Sequence, residues 1–184
     1  MEWTSELALT DELVSKIKDR KEVVYIPNFT DIKQDTDFNF LADLLERNEL
    51  GSEHKNPEYR PPHQGGVLSG LIQVRNVEKD DFFRQYLNIF DDTFAKGRLP
   101  NGEYVKGRYC DIHLHLSFMA LSGASHQDYE DVFIIGLHGH TIYKVYGHGD
   151  YDIRKGDFIY IPPNISHKAV AMGPRIIMSI GITE

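Results

Sequence analysis

The sequence predicts a mainly β domain with helices packed outside it (an α+β fold), and three observations support this. From Glu103 onward, short β-branched and aromatic runs alternate with Gly, Pro, Asn and Asp, which is typical of a β-sandwich or small barrel. Before residue 103, apolar residues recur at helical spacing. The 184 residues suffice for one core, and the chain shows neither a repeat nor a linker. We therefore expect a single domain, 1–184, in which residues 1–102 elaborate a core formed by 103–184.

The N-terminal half is predicted to hold three helices and two strands. Thr10 can cap a first helix that presents Leu13 and Ile17 on one face, and Phe38 begins a second amphipathic segment. A third helix is predicted over 80–94, and strands over 23–26 and 67–74. Between them, residues 51–66 carry three prolines and few apolar side chains, which predicts a long loop. Such a loop, with Arg60 and His63, is either a substrate lid or a mere connector.

The C-terminal half is predicted to be built of strands. Each run is short, rich in β-branched or aromatic residues, and ended by turn residues. The predicted strands are 109–121, 131–137, 141–146, 151–154, 157–161, 167–172 and 175–182.

Composition and charge limit the classes of function. The chain is 41% hydrophobic and 26% charged, as in globular proteins. Its formal net charge of -8 disfavours a nucleic-acid partner. Cys110 is the single cysteine, so no internal disulfide can form; we expect it to be a packed residue and the compartment to be the cytoplasm. We see no leader and no apolar run of membrane-spanning length, so neither secretion nor membrane insertion is expected.

Three residues form a candidate metal site. His126 and Asp128 lie two positions apart, which on an extended segment turns both side chains to one face. The segment 156–167 reads as a strand, a Pro-Pro turn and then His167 at the start of the next strand. Two imidazoles and one carboxylate suit a divalent first-row metal and leave coordination positions open, so Fe(II) is the expected ion. Taken singly, each residue would more often be an ordinary turn or strand polar group.

These segments resemble a known family. The run from Gly156 through Pro162 to His167 is similar to the second cupin motif, with Asn164 where a glycine is usual. The His126-x-Asp128 element and the strands after it resemble the Fe(II)/2-oxoglutarate-dependent oxygenases of the Jumonji-C and ribosomal-oxygenase type. The resemblance covers residues 105 to 182 and implies a double-stranded β-helix (cupin, jelly-roll) core. It also implies His126, Asp128 and His167 as iron ligands, and hydroxylation of a substrate coupled to decarboxylation of 2-oxoglutarate.

The distal carboxylate of 2-oxoglutarate needs a buried cation, and Arg175 is the best candidate. Many double-stranded β-helix oxygenases resemble this chain in placing an arginine at the head of this strand, and strand alternation puts Ser179 on the same face. The Jumonji-type branch instead uses Lys or Arg at the position of Thr141, and the nearby Lys144 should face away. Thr141 and Tyr109 are expected to add hydroxyl donors. If Arg175 is only an exposed strand entry, 2-oxoglutarate does not bind.

Other histidines leave alternatives open. His113 and His115 share one face of a predicted strand, where they either border the pocket or lie exposed. The same alternatives hold for His138 and His140, while His148 is expected in a surface hairpin turn.

Three functions are therefore possible on this fold. The first is an Fe(II)/2-oxoglutarate-dependent dioxygenase that hydroxylates a small-molecule, peptide or protein substrate. The second is a metal-binding cupin dioxygenase or isomerase that does not use 2-oxoglutarate. The third is a non-catalytic cupin that binds a ligand or partner. A homodimer is possible, since dimers are common in this fold.

Overall fold

The computed structural model describes residues 7–46, 58–60, 71–75, 77–95, 109–118 and 120–183. The three predicted helices are present as α1 (Asp11–Lys18), α2 (Phe38–Glu46) and α3 (Asp81–Phe90), and the Thr10 hydroxyl caps α1 as expected. A 3-10 turn (Val77–Lys79) precedes α3, and a π-helical turn (Asp91–Ala95) extends it. The strands are β1 (Val24–Ile26), β2 (Glu58–Arg60), β3 (Leu71–Arg75), β4 (Tyr109–Ser117), β5 (Leu121–Ser122), β6 (Asp131–His138), β7 (Thr141–Val145), β8 (Gly149–Ile153), β9 (Phe158–Ile161), β10 (His167–Ala171) and β11 (Arg175–Thr183).

The strands form two antiparallel sheets. The larger has the order β1-β9-β6-β11-β4-β3-β2, and the smaller has the order β5-β10-β7-β8. All seven strands predicted in the C-terminal half are present, with the first one divided into β4 and β5. The connections that cross between the sheets make a sandwich, as the sequence predicts.

Strand alternation separates two apolar layers, which β11 illustrates. Ile176 and Met178 pack outward with Phe83 and Phe90 of α3, in the larger core cluster. Ile177 points the other way, into a second cluster between the two sheets. The helices therefore cover the outer face of the large sheet, and the interior between the sheets is left for the site. None of the helices in the described ranges has the length and apolar character that a bilayer crossing requires.

The predicted loop over 51–66 is wrong at residues 58–60. These residues form β2, which pairs with β3 at the edge of the large sheet. An edge strand can pair through its backbone groups alone, whatever its side chains are. The sequence of residues 58–60 therefore shows no alternating pattern that would have predicted a strand. Arg60 thus lies on a strand, while His63 and residues 67–70 of the predicted 67–74 strand fall outside the described residues.

A buried network fixes the entrance to β6. The Tyr160 hydroxyl on β9 donates to Asp131 over 2.6 Å, and the Arg20 guanidinium pairs with the other oxygen of that carboxylate. Asp131 is 5% exposed, so its charge needs both partners. The network ties the residues after α1 to the strand that follows His126 and Asp128.

Candidate metal centre and anion pocket

His126, Asp128 and His167 come together at one end of the inter-sheet interior. Their potential ligand atoms all lie within 4.8 Å of one another. Asp128 Oδ2 is 3.7 Å from His126 Nε2 and 3.3 Å from His167 Nε2. His167 opens β10, and its backbone exchanges two hydrogen bonds with that of His126, at 3.0 and 2.9 Å. This bridge puts the two imidazoles side by side, with ring centroids 4.5 Å apart.

The backbone also selects which nitrogen of each imidazole is free to bind a metal. His126 Nδ1 lies 3.1 Å from the Ala124 carbonyl, and His167 Nδ1 lies 3.0 Å from the Ile165 carbonyl. In each case the carbonyl can only accept, so the proton belongs on Nδ1 and the lone pair on Nε2. Both Nε2 atoms face Asp128, which is the arrangement that a shared cation requires.

The turn before His167 holds Asp128 in place. The Asn164 N–H donates to the Asp128 carbonyl over 2.7 Å. Asn164 has φ 63, and asparagine tolerates this left-handed conformation better than other non-glycine residues. This explains why asparagine can stand where the resembled motif has glycine.

Burial makes the two histidines different. The His167 side chain is 3% exposed and that of His126 is 54% exposed. Burial lowers the pKa of His167 and the neighbouring His126 lowers it further, while the Ile165 carbonyl and Asp128 act in the opposite direction. A neutral imidazole is the form that binds a metal. This donor set fits one divalent cation with an open side toward solvent.

Arg175 lies in the same interior and is 3% exposed. Its Nη1 donates to Thr141 Oγ1 over 3.1 Å and its Nε to Ser117 Oγ over 3.3 Å. Burial lowers its pKa. Among the described residues no carboxylate pairs with this guanidinium. An unbalanced buried charge favours an anionic ligand.

Tyr143 connects the two parts of the site, and the sequence analysis missed it. Its ring is 6.4 Å from that of His167, and its hydroxyl accepts a hydrogen bond from Arg175. Burial raises the pKa of Tyr143 to about 12, so the hydroxyl keeps its proton. Alternation along β7 could have indicated it, because Thr141 and Val145 share its face. Ser117 was also missed, since its place beside Arg175 depends on the register of β4 with β11.

Two predicted cofactor-binding residues lie at a distance from Arg175. Ser179 is on the same face of β11 as Arg175 but four residues further along, about 13 Å in an extended strand. Tyr109 pairs with Thr183 at the far end of β4, and its hydroxyl donates to Glu130 over 2.6 Å. The strand is antiparallel to β11, so the residue opposite Arg175 is Ser117 and not Tyr109. Ser179 shares the face of Arg175 as predicted, and the cofactor-binding roles of Ser179 and Tyr109 stay predictions.

The remaining polar residues divide between interior and surface. Lys144 faces outward as predicted and pairs with Asp150 over 3.3 Å. His140 pairs with Asp152, and His148 is exposed in the turn between β7 and β8. His138 contacts the edge of the Phe38 ring. By contrast, His113 and His115 belong to the interior face of β4, and Cys110 packs in the larger core.

No protein-family model and no curated protein matches this chain. Solved structures do match it. The ribosomal oxygenase YcfD from Escherichia coli, in complex with cobalt and 2-oxoglutarate, aligns at TM-score 0.68 and 19% identity over 97% of this chain and 53% of that chain. Its complex with cobalt and succinic acid aligns at 0.67 and 19%, over 97% and 52%. A further YcfD crystal structure aligns at 0.66 and 20%, over 99% and 53%.

These matches confirm the predicted double-stranded β-helix fold with helices outside. The chain spans about half the length of the solved structures it matches.

Proposed function

We propose that this chain is an Fe(II)- and 2-oxoglutarate-dependent oxygenase that hydroxylates a peptide or protein substrate. The observation that carries the proposal is the buried Arg175, a guanidinium without a carboxylate partner among the described residues, in the same interior as the metal triad. A dicarboxylate that reaches from a metal ion in the triad to Arg175 would neutralise the positive charge of the ion and that of the guanidinium. 2-Oxoglutarate has this form.

In this proposal His126, Asp128 and His167 hold the ion on one side only. Iron, when bound, supplies the oxygen chemistry that couples decarboxylation of 2-oxoglutarate to hydroxylation of a C–H bond. Arg175 binds the distal carboxylate by charge-assisted hydrogen bonds, and the neighbouring hydroxyls of Thr141 and Tyr143 add donors.

The apolar cluster between the sheets keeps water from the pocket. It includes Ile134, Ile153 and Ile177, each 2% exposed or less. Excluding water strengthens the attraction between the guanidinium and a bound carboxylate. The matched structures support this assignment because they contain cobalt with 2-oxoglutarate or succinic acid in the same fold. The name ribosomal oxygenase, given to YcfD, supports a macromolecular acceptor over a free metabolite, and the net charge of -8 disfavours RNA as that acceptor.

Titration of 2-oxoglutarate into the metal-loaded chain tests the proposal, together with succinate formation under Fe(II) and oxygen. We expect binding by the native chain. Arg175→Met should weaken it by about tenfold or more, as expected for lost charge-assisted hydrogen bonds, while metal content stays unchanged. Arg154→Met is the matched control, because the Arg154 side chain is 63% exposed at the surface.

The alternatives give different results in the same experiment. If the chain binds metal but does not bind 2-oxoglutarate at any metal loading, the oxygenase proposal is wrong. That result would favour a metal-binding cupin of another reaction class. Binding of neither metal nor 2-oxoglutarate would favour a non-catalytic binding module.

A further inference from the structure

Gln73, Asp111, His113 and His115 form a polar wall between the sheets, beside the apolar cluster. Ile177, which packs in the interior, is opposite His115 on β4, and His115 is opposite Gln73 on β3. Directly opposed residues of antiparallel strands share a face. Gln73 therefore points into the interior, and it is 7% exposed.

A chain of contacts orients the Gln73 amide. His113 Nε2 is 3.7 Å from the Asp111 carboxylate, which favours the proton on this nitrogen. His113 Nδ1 is then an acceptor, and Gln73 Nε2 donates to it over 3.2 Å. The remaining atom, Gln73 Oε1, is buried and has no hydrogen-bond partner among the residues that the structure describes. A buried carbonyl without a donor is costly, so this atom favours a ligand that donates to it.

Glu130, two residues after Asp128 of the triad, lies against Gly181, which is opposite Asp111 on β4. Glu130 interacts with Asp111 and His113 of the wall and also with Asp128 of the triad. Gln73 Oε1 can only accept a hydrogen bond, and a carboxylate can only accept as well, so an anionic group gains nothing at this atom. A neutral or cationic donor is the group that fits.

We propose that Gln73 is a specificity-determining residue whose Oε1 accepts a hydrogen bond from an N–H or O–H group of the substrate. The assignment of that ligand as the substrate rests on the proposed oxygenase function. The site therefore selects substrates that present an N–H or O–H donor to Gln73 and offers no hydrogen bond to a carboxylate there.

Two small amides that differ in one donor test this inference. N-methylacetamide has an N–H, and N,N-dimethylacetamide lacks it. Each is titrated by NMR into the full chain loaded with Zn(II), which is redox-inert, and 2-oxoglutarate. The amide's own methyl resonances report its affinity in every variant, and the Gln73 side-chain resonances report the contact in the native chain. We expect N-methylacetamide to bind at least about fivefold more tightly, as for one buried hydrogen bond. Acetate should leave the Gln73 resonances unchanged.

Variants assign the difference to Gln73. Gln73→Leu should remove the discrimination between the amides, and Gln73→Glu, which keeps an acceptor oxygen, should retain it. Gln34→Leu is the control, since the Gln34 amide donates only to the carbonyl of its neighbour Asp35 at the surface. If Gln73→Leu does not fold, retention in Gln73→Glu still supports the proposal and its loss there contradicts it.

Equal binding of the two amides by the native chain overturns the inference, and so does a response to either amide that does not depend on Gln73. In either case Gln73 Oε1 binds water and not the substrate. The 2-oxoglutarate titration of the same samples separates the two proposals. If 2-oxoglutarate does not bind but the amides are still discriminated, the oxygenase function is wrong and the Gln73 subsite stands.

Discussion

Arg175 on β11 donates a hydrogen bond to Thr141 on β7 over 3.1 Å, and this bond joins the two sheets of the sandwich. The Jumonji-type branch that the sequence resembles has its cation at the position of Thr141. The two strands therefore reach the same point of the interior from opposite sides. A guanidinium could serve the pocket from either position.

Moving the cation from β11 to β7 should thus restore 2-oxoglutarate binding. We expect Arg175→Met alone to weaken binding by about tenfold or more, and the double variant Arg175→Met/Thr141→Arg to recover most of the loss. Calorimetric titration of the metal-loaded variants measures this. Thr141→Arg alone is the control, and it should be destabilised because two guanidinium groups would share one buried pocket. A double variant no better than Arg175→Met would show that the carboxylate does not bind here.

Removal of a triad residue should abolish metal binding without unfolding the chain. We expect His126→Ala and Asp128→Ala each to lower metal affinity by more than about 100-fold, since changes outside the ligand shell alone cost 10–100-fold. The native chain should gain about 2.7 kcal/mol of stability at a metal concentration 100 times its Kd, and these variants should gain less than about 0.4 kcal/mol at the same concentration. Metal analysis and thermal unfolding measure both effects.

His148→Ala is the matched control for these variants, because His148 is an exposed histidine that does not belong to the triad. It should bind metal and gain stability like the native chain. If all three variants behaved alike, the metal would bind at some other place.

Asp111 should make stability depend on pH. Burial raises its pKa from 3.8 to about 6, so the folded chain holds this proton more tightly than the unfolded chain does. The stabilising contribution of the proton is complete below pH 4 and is lost as the pH rises to about 6. Asp111→Asn should therefore be more stable than the native chain at pH 8 and equal to it at pH 4.

The expected difference at pH 8 is only about 1 kcal/mol, because 41% of the Asp111 side chain stays exposed and solvent screens its charge. Urea unfolding at pH 4, 6 and 8 measures it. Asp92→Asn on the exposed side of the π-helical turn controls for the loss of one surface charge. A pH-independent difference between Asp111→Asn and the native chain would contradict the prediction.

The grouping of His126, Asp128 and His167 could be predicted from the sequence because it depends on local geometry. His126 and Asp128 lie two residues apart on one extended segment, and a strand and a Pro-Pro turn deliver His167. Each of these steps depends on chain spacing alone. The position of Arg175 could be predicted for the same reason, because it begins a strand with a clear β pattern.

The rest of the site depends on the register between neighbouring strands. This register cannot be predicted from a few consecutive residues. Ser117 meets Arg175 only because β4 pairs with β11 in one register, and the same pairing moves Tyr109 to the far end. Gln73 enters the interior through the pairing of β3 with β4. A shift of one residue would turn each of these side chains to the opposite face.

Two glycines with the same backbone conformation should respond differently to substitution. Gly156 has φ +85, and a Cβ there would lie 2.5 Å from the Thr30 carbonyl oxygen. Gly147 has φ +83, and a Cβ there would meet nothing within 4 Å. Gly147→Ala should thus cost only the left-handed strain, about 1 kcal/mol. Gly156→Ala should cost about 3 kcal/mol or more, because the backbone hydrogen bond from Thr30 to Gly156 must also move.

Chemical denaturation of the two variants measures this difference directly. The motif glycine at 156 then reflects close approach of the segment around Thr30, and its conformation alone does not explain it. Metal binding gives a second readout, because the strand that starts after Gly156 leads to His167. Equal losses of stability in the two variants would mean that the backbone near Thr30 yields to the added methyl group, and that φ alone accounts for the glycine.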